Sequence, residues 1–212
     1  MTNRGLLVRM HARHGKEGAV EELLHSAAPM VQDESDTVAW FAVRFGRSDY
    51  GVFGVFPTDA ALDAHLDGPV AAALKQRGAE LFEAEPRIQK VEVLADKLPV
   101  ASTYPDTKGL LLTFKAKSNH EADVEQFFRY AHDVVNNEHN TTAWFAMRTE
   151  DGSYGIFDVF PSNEDRFMHL VGPVPRELAK QAFTLMGSMP DVELLTVQAE
   201  KIGSDIHQIR RH

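Results

Sequence analysis

Trp40-Phe41-Ala42-Val43-Arg44, followed by Tyr50-Gly51-Val52-Phe53-Gly54-Val55-Phe56-Pro57, is written a second time as Trp144-Phe145-Ala146-Met147-Arg148 and Tyr154-Gly155-Ile156-Phe157-Asp158-Val159-Phe160-Pro161. The offset is 104 positions throughout, and it also carries His65-Leu66-Asp67-Gly68-Pro69-Val70 onto His169-Leu170-Val171-Gly172-Pro173-Val174. The register runs without a gap from Gly5/Gly109 to Lys97/Lys201, with about a third of the positions identical, so two copies of one domain account for the chain. The first repeat is expected over residues 1–99 and the second over 109–203. Between them, 100–108 reads as a linker, because the run from Pro99 to Asp106 lacks periodicity and holds two prolines; 204–212 reads as a polar tail.

Working outward from the repeated stretch, Thr37 to Phe45 and Tyr50 to Phe56 are rich in aromatic and β-branched residues and flank Gly46-Arg47-Ser48-Asp49, a turn composition. They read as a hairpin, and the second copy strengthens this with an Asp151-Gly152 pair in its turn. Upstream, Leu6 to Ala12 is strand-like, broken by Gly15. From Lys16 to about Val31, Ala19, Val20, Leu23, Leu24, Ala27 and Met30 recur at helical spacing with Glu21 and Glu22 on the other side, and the copy of this helix spans roughly His120 to Val135. Downstream, Ser162-x-x-Asp165 is a capping pattern opening a short helix, Gly68-Pro69 restarts the chain into a second helix from Val70 to Glu83, and Pro86 stops it. Ile88 to Leu94 is a last strand. The order strand, helix, strand, strand, helices, strand is the ferredoxin-like βαββαβ arrangement, of α+β class.

Both alternating faces of the hairpin are apolar, whereas a sheet with one wet face alternates apolar and polar residues. With two copies in one chain, the expectation is that the two sheets pack on each other as an intrachain pseudo-twofold dimer with a barrel-like core. Apolar residues make up 43% and charged residues 25% of the chain, the usual balance of a soluble globular protein, and no apolar run approaches the ~20 residues of a membrane span. The start shows no export signal, and zero cysteines exclude disulfides, thiolate metal sites and cysteine nucleophiles, so a cytoplasmic location is expected. A net charge of −9 argues against nucleic acid and anionic membranes as partners and leaves a small molecule.

The succession Trp-Phe-Ala-x-Arg, Tyr-Gly-[Val/Ile]-Phe-x-Val-Phe-Pro and His-Leu-x-Gly-Pro-Val resembles the antibiotic biosynthesis monooxygenase family, across both copies. The resemblance implies dimeric α+β barrels in which this polypeptide supplies both halves, and whether such pseudo-dimers assemble further is left open. It implies a cofactor-independent monooxygenase that oxidises a quinol or anthrone-like aromatic with O2, without metal, flavin or haem. A second reading is a non-catalytic small-molecule binding or stress-response protein with the same fold. A third is haem binding. Haem-degrading relatives carry a helix histidine ligand about ten residues beyond the place resembling His65 or His169; Lys75 and Ala179 stand there, which weakens that reading.

His65 and His169 are the candidate catalytic bases, since a neutral imidazole with a reference pKa of about 6.5 takes a proton from a phenol or carbon acid near pH 7. The competing role is to hydrogen-bond the Gly-Pro turn that follows. Trp40 and Trp144 offer a flat apolar wall and an indole N–H to an aromatic ligand, or else fill the core. Arg44 and Arg148 lie four residues further along the same strand face, where they would stabilise an oxyanion, or else pair with Glu34 or Glu138. Tyr50 and Tyr154 supply a phenolic donor or cross-strand packing. His11, His14, His25, His132 and His139 come with no carboxylates at a metal-binding spacing, so no metal site is expected. Phe127, Phe128, Tyr130, Phe167, Met168, Phe183 and Met186 stand where the first copy has Leu23, Leu24, Ser26, Asp63, Ala64, Ala79 and Phe82, from which a bulkier cavity wall is expected in the second.

Overall fold

The computed structural model describes residues 3–98 and 107–202. Its first half contains β1 (Arg4–His11), α1 (Glu17–Gln32), β2 (Ala39–Arg44), β3 (Asp49–Phe56), α2 (Asp59–Leu66), α3 (Pro69–Leu81) and β4 (Arg87–Lys97). The second half repeats the order as β5 (Lys108–Lys115), α4 (Glu121–Val135), β6 (Ala143–Thr149), β7 (Ser153–Phe160), α5 (Asn163–Leu170), α6 (Pro173–Leu185) and β8 (Asp191–Ile202). The expected linker and tail fall outside the described residues, apart from Thr107 and Lys108, which leads β5. No helix among the described residues is long and apolar enough to cross a membrane.

Local chemistry sets the element ends. Thr58 and Ser162 cap α2 and α5, their hydroxyl oxygens accepting from the N–H groups of Ala61 and Asp165 at 3.2 Å, so an otherwise orphaned donor is satisfied at each start. Gly68 and Gly172 follow because the histidine carbonyl folds back onto them. A Cβ at Gly172 would lie 2.8 Å from the His169 oxygen, and Pro69 and Pro173 then start the next helix without needing an N–H. α3 ends at Leu81, short of the Glu83 expected from periodicity, because Phe82 turns extended and bridges Ala12; Met186 does the same with Ala116.

In the first compact unit the strands run β1-β3-β2-β8, with Leu6 opposite Gly54 and Trp40 opposite Gly54 from the other side. In the second they run β5-β7-β6-β4, with Leu110 and Trp144 flanking Asp158. Each unit has its own helix-side core. The first gathers Leu6, Val8, Leu23, Leu24, Trp40 and Phe56 among others, and the second Phe114, Phe127, Phe128, Trp144, Tyr154 and Leu185. Phe41, Phe53, Phe145 and Phe157 alternate with those residues along the strands and are equally buried, as the two-faced apolar pattern requires.

The compact units do not coincide with the sequence repeats. Of the described residues, the first comprises those up to Val91 and those from Leu195 on, and the second those from Glu92 to Leu194, so the chain leaves the first unit within β4 and returns to it within β8. Returning, β8 lies along β2 from Ala39 opposite Ile202 to Arg44 opposite Thr196. It brings Lys201, whose buried ammonium donates to the Val31 carbonyl at 2.7 Å and to that of Glu34, closing the C-terminal end of α1. Lys97 of β4 does the same at the end of α4, with the Val135 and Glu138 carbonyls at 2.7 and 2.5 Å. A cation suits this place, since the last carbonyls of a helix have no partners and carry the negative end of its dipole. Replacing Lys201 with Met should therefore lower unfolding free energy by about 1–3 kcal/mol in urea titrations, the loss expected for charge-assisted bonds to buried carbonyls; an unchanged midpoint would show that the ammonium is dispensable.

Candidate functional site

The short helices α2 and α5 each bring a histidine into the interior from their last turn. His65 Nδ1 pairs with Glu34 Oε2 at 2.6 Å, and His169 Nδ1 with Glu138 Oε2 at 2.8 Å. Each glutamate stands just beyond the end of α1 or α4, where Lys201 or Lys97 holds its backbone carbonyl. Thr37 and Thr141 donate to the same carboxylate oxygens at 2.6 and 2.8 Å. Each ring leans on a strand phenylalanine, Phe56 at 5.1 Å and Phe160 at 5.2 Å between centroids.

The two units diverge on the far side of the ring. Where β3 carries Gly54, β7 carries Asp158, whose side chain is 1% exposed and whose Oδ2 lies 4.0 Å from His169 Nε2. Its Oδ1 is buried without a hydrogen-bond partner. His169 thus stands between two carboxylates, hydrogen-bonded to Glu138 and within Coulomb range of Asp158, though 4.0 Å is too long for a hydrogen bond. Asp158 and His169 line a cavity of about 600 Å³ between sheet and helices, with walls from Leu110, Leu112, Ile156, Val174 and Leu178. A carboxylate oxygen left unpaired in apolar surroundings is costly, which marks the group as a candidate for function.

The titration of the three groups follows from their placement. Burial pushes Asp158 up to about 7, the His169 charge partly opposing the shift. Burial disfavours the His169 cation, but the Asp158 charge and the Glu138 hydrogen bond outweigh it and leave its pKa raised. Glu138 is pushed up by burial and pulled down further by His169, with a net lowering. Below its raised pKa His169 is a cation paired with the Glu138 carboxylate, beside a carboxyl that titrates at about 7.

The other sequence candidates lie elsewhere. Trp40 and Trp144 are fully buried in the helix-side cores, Trp144 edge-on to Phe128 at 6.5 Å, and the indole N–H of each has no partner. Arg44 does not meet Glu34: it pairs with Glu21 at 2.9 Å and donates to the Gly46 carbonyl, because the glutamate one turn into α1 faces the strand end while Glu34 is taken by His65. Arg148 likewise pairs with Glu92 at 2.6 Å and Glu125 at 3.5 Å rather than Glu138. Tyr50 donates to Glu21 at 3.0 Å, and burial first, then that bond, pushes its phenol up to about 12; Tyr154 is buried beside Phe114 and Phe128. None of Trp144, Arg148 and Tyr154 lines the cavity at His169. Among the described residues no group of three or more His, Asp or Glu side chains is placed to hold a metal ion.

A second cavity, of about 810 Å³, occupies the equivalent place in the first unit, but its walls include Arg13, Asp67, Lys75, Glu83 and Glu85. The bulkier wall expected of the second copy is present only in part. Phe183 and Met186 line its smaller cavity, whereas Phe127 and Phe128 belong to the core and Phe167 and Met168 stand out on the surface.

Asp158 escaped the sequence reading because it occupies the variable place of a motif whose other members are structural. Its signal was the pairing of Gly54 with Asp158, a carboxylate inside an apolar strand. Between about pH 4 and pH 7 the native Asp158 keeps a proton that the unfolded chain has released, so this group subtracts stability as pH rises, by on the order of 4 kcal/mol across about three units. His169 adds to the fall above its ordinary value, and Glu138 acts oppositely, losing its contribution as pH drops through its lowered pKa. Asp158→Asn should accordingly flatten the loss between pH 4 and 7 and be more stable than the parent at pH 7.5, measured by urea unfolding at stepped pH. Parallel profiles would show that Asp158 titrates like a surface carboxyl.

No family model and no curated protein matches the chain. Among solved structures it is similar to a provisionally assigned monooxygenase from Fusobacterium nucleatum, with a TM-score of 0.85 and 11% identity over 95% of this chain and 94% of that one. A ferredoxin-fold protein from Listeria monocytogenes, described as related to antibiotic biosynthesis monooxygenases, gives a TM-score of 0.57 and 9% identity over 93% and 95%. A protein of unknown function from Nitrosomonas europaea is 48% identical over 48% of this chain and 98% of that one, with a TM-score of 0.46. The chain has the dimeric α+β barrel fold of proteins related to the antibiotic biosynthesis monooxygenases.

Proposed function

We propose that the cavity of the second unit is the active site of a cofactor-independent monooxygenase acting on a small reduced aromatic, a quinol or an anthrone-like compound. The observation that carries this reading is the buried, unpartnered carboxylate oxygen of Asp158 in an apolar cavity, beside a histidine held by Glu138. The fold shared with proteins assigned to monooxygenase chemistry supports it.

Asp158 is the base. Burial gives it a pKa of about 7, so a useful fraction is ionised near neutrality while its affinity for a proton exceeds that of an ordinary carboxylate. It removes a proton from a phenolic O–H or an activated ring C–H. The His169 cation, kept in place by Glu138, then faces the substrate anion and lowers its energy in a cavity where water screens little. The electron-rich anion reduces O2, and the peroxide it forms takes up a proton and expels water. For an anthrone the CH2 group and O2 become C=O and H2O. For a quinol the ring gains one hydroxyl oxygen, the ring system is oxidised to the quinone, and the second oxygen atom leaves as water. All electrons come from the substrate. The first unit has Gly54 in place of the base, so the chemistry is assigned to one cavity.

Oxygen uptake with a panel of quinols and anthrones, corrected for autoxidation, tests this. The protein should give saturable uptake with kcat/KM rising as pH passes through about 7, and Asp158→Asn should lower kcat by about 10²–10⁴, the range typical of a lost general base. Saturable binding across the panel with no uptake would transfer the cavity to the ligand-binding reading, and uptake retained by Asp158→Asn would remove Asp158 from the mechanism.

A further inference from the structure

The mouth of the second cavity is made of apolar side chains that also face solvent. Phe183 and Met189 both line the cavity, yet they are 91% and 90% exposed, and Val192 and Leu170 share this double placement to a lesser degree. Leu194 extends the apolar strip two residues along the same face of β8. Scattered exposed apolar residues are ordinary, but a contiguous set around an opening marks a place that meets another apolar surface.

The comparison with the first unit sharpens this. Phe183 and Met189 stand where that unit has Ala79 and Glu85, and Ala179 and Gly187 where it has Lys75 and Glu83. The first cavity thus opens through a charged mouth, whereas the second has no charged side chain in its wall except the interior pair Asp158 and His169. The apolar rim and the buried carboxylate occur in the same unit. The cavity is also larger than one ring needs, since ~150 Å³ suffices for benzene, and about 600 Å³ is available.

We infer that the ligand of the second cavity is an uncharged aromatic bearing an apolar chain, its ring at the Asp158 end and its chain leaving between Phe183 and Met189 along the exposed rim. This rests on the proposed active site in that cavity and adds the class of substituent it selects. A charged substituent would have to shed water against a rim whose side chains, Ser188 apart, offer it no hydrogen bond. An alkyl chain covers the rim and removes its own surface from water together with that of Phe183 and Met189.

Binding and turnover are separated in the test. At pH 6, where Asp158 is mostly protonated and can donate to a quinone carbonyl, titration calorimetry compares 1,4-naphthoquinone, its 2-decyl derivative and its 2-sulfonate. The decyl compound should bind at least tenfold tighter than the parent, and the sulfonate weaker than the parent. In Phe183→Ser/Met189→Ser, whose two sites are exposed and remote from the core, the decyl preference should fall to about threefold or less. Equal affinities for parent and decyl compounds, or a decyl preference that survives in the double variant, would overturn the inference. So would a dimer in sedimentation velocity that the double variant splits while chain length has no effect, since the rim would then belong to a second copy of the chain. Oxygen uptake by Asp158→Asn is read independently: its loss with no chain-length effect leaves the reaction standing and removes the chain, and a chain-length effect with no uptake in the parent protein does the reverse.

Discussion

One contact recurs at the centre of each unit: a histidine from the last turn of a short helix, hydrogen-bonded to a glutamate just past the end of the long helix. It ties α2 or α5 to the loop that feeds β2 or β6, and in the second unit it holds His169 in the wall of the cavity. The supporting groups converge on it from separate elements. A threonine donates to the glutamate side chain, a lysine from a last strand grips its main chain, and a glycine lets the histidine carbonyl close on the next helix. The histidine, glutamate, threonine, glycine and lysine of this network all appear in both copies, although in the first the Glu34 Oε1 is buried without a hydrogen-bond partner.

Against that common frame a single side chain sets the units apart. Gly54 leaves His65 with one carboxylate, and Asp158 gives His169 two. A second carboxylate at 4.0 Å, without a hydrogen bond of its own, holds a proton in surroundings that disfavour its charge. The same geometry that costs stability above pH 4 makes this carboxyl titrate near neutrality, which is what the proposed reaction asks of its base. Structural and functional demands therefore separate between the two histidines: both hold the turn, and one also faces a titratable partner.

Much of the fold was legible because its signals are periodic. The helical spacing of Val20, Leu23, Leu24 and Ala27, the two-faced apolar hairpin and the Gly-Pro restart each report local geometry, and the repeat tested every reading twice. The site was legible only in part. His65 and His169 stood out as titratable groups in a motif, but their partners Glu34 and Glu138 lie 31 residues upstream in a loop with no periodicity, and they looked equally able to serve the arginines. Arg44 instead found Glu21 on α1, and Arg148 found Glu92 on β4 and, at a longer distance, Glu125 on α4, since a regular element facing a strand end offers a partner without a loop having to adapt. Trp40 and Trp144 followed the apolar rule of their strands into the core.

The passage of the chain out of the first unit within β4 and back within β8 also bears on how the protein comes to be made. Ala39 finds its partner Ile202 only 163 positions later, so β2 stays open along that edge until β8 has been made. Pairings this distant close large loops before they return any contact energy, which slows folding relative to helices and hairpins. During synthesis at ~5–20 residues per second the wait amounts to about ten to thirty seconds with an apolar strand edge unpaired. The helix α1 and the hairpin of β2 and β3 are local and can form meanwhile, but the carbonyls at the end of α1 receive Lys201 last of all. The first unit to be synthesised is the last to be finished.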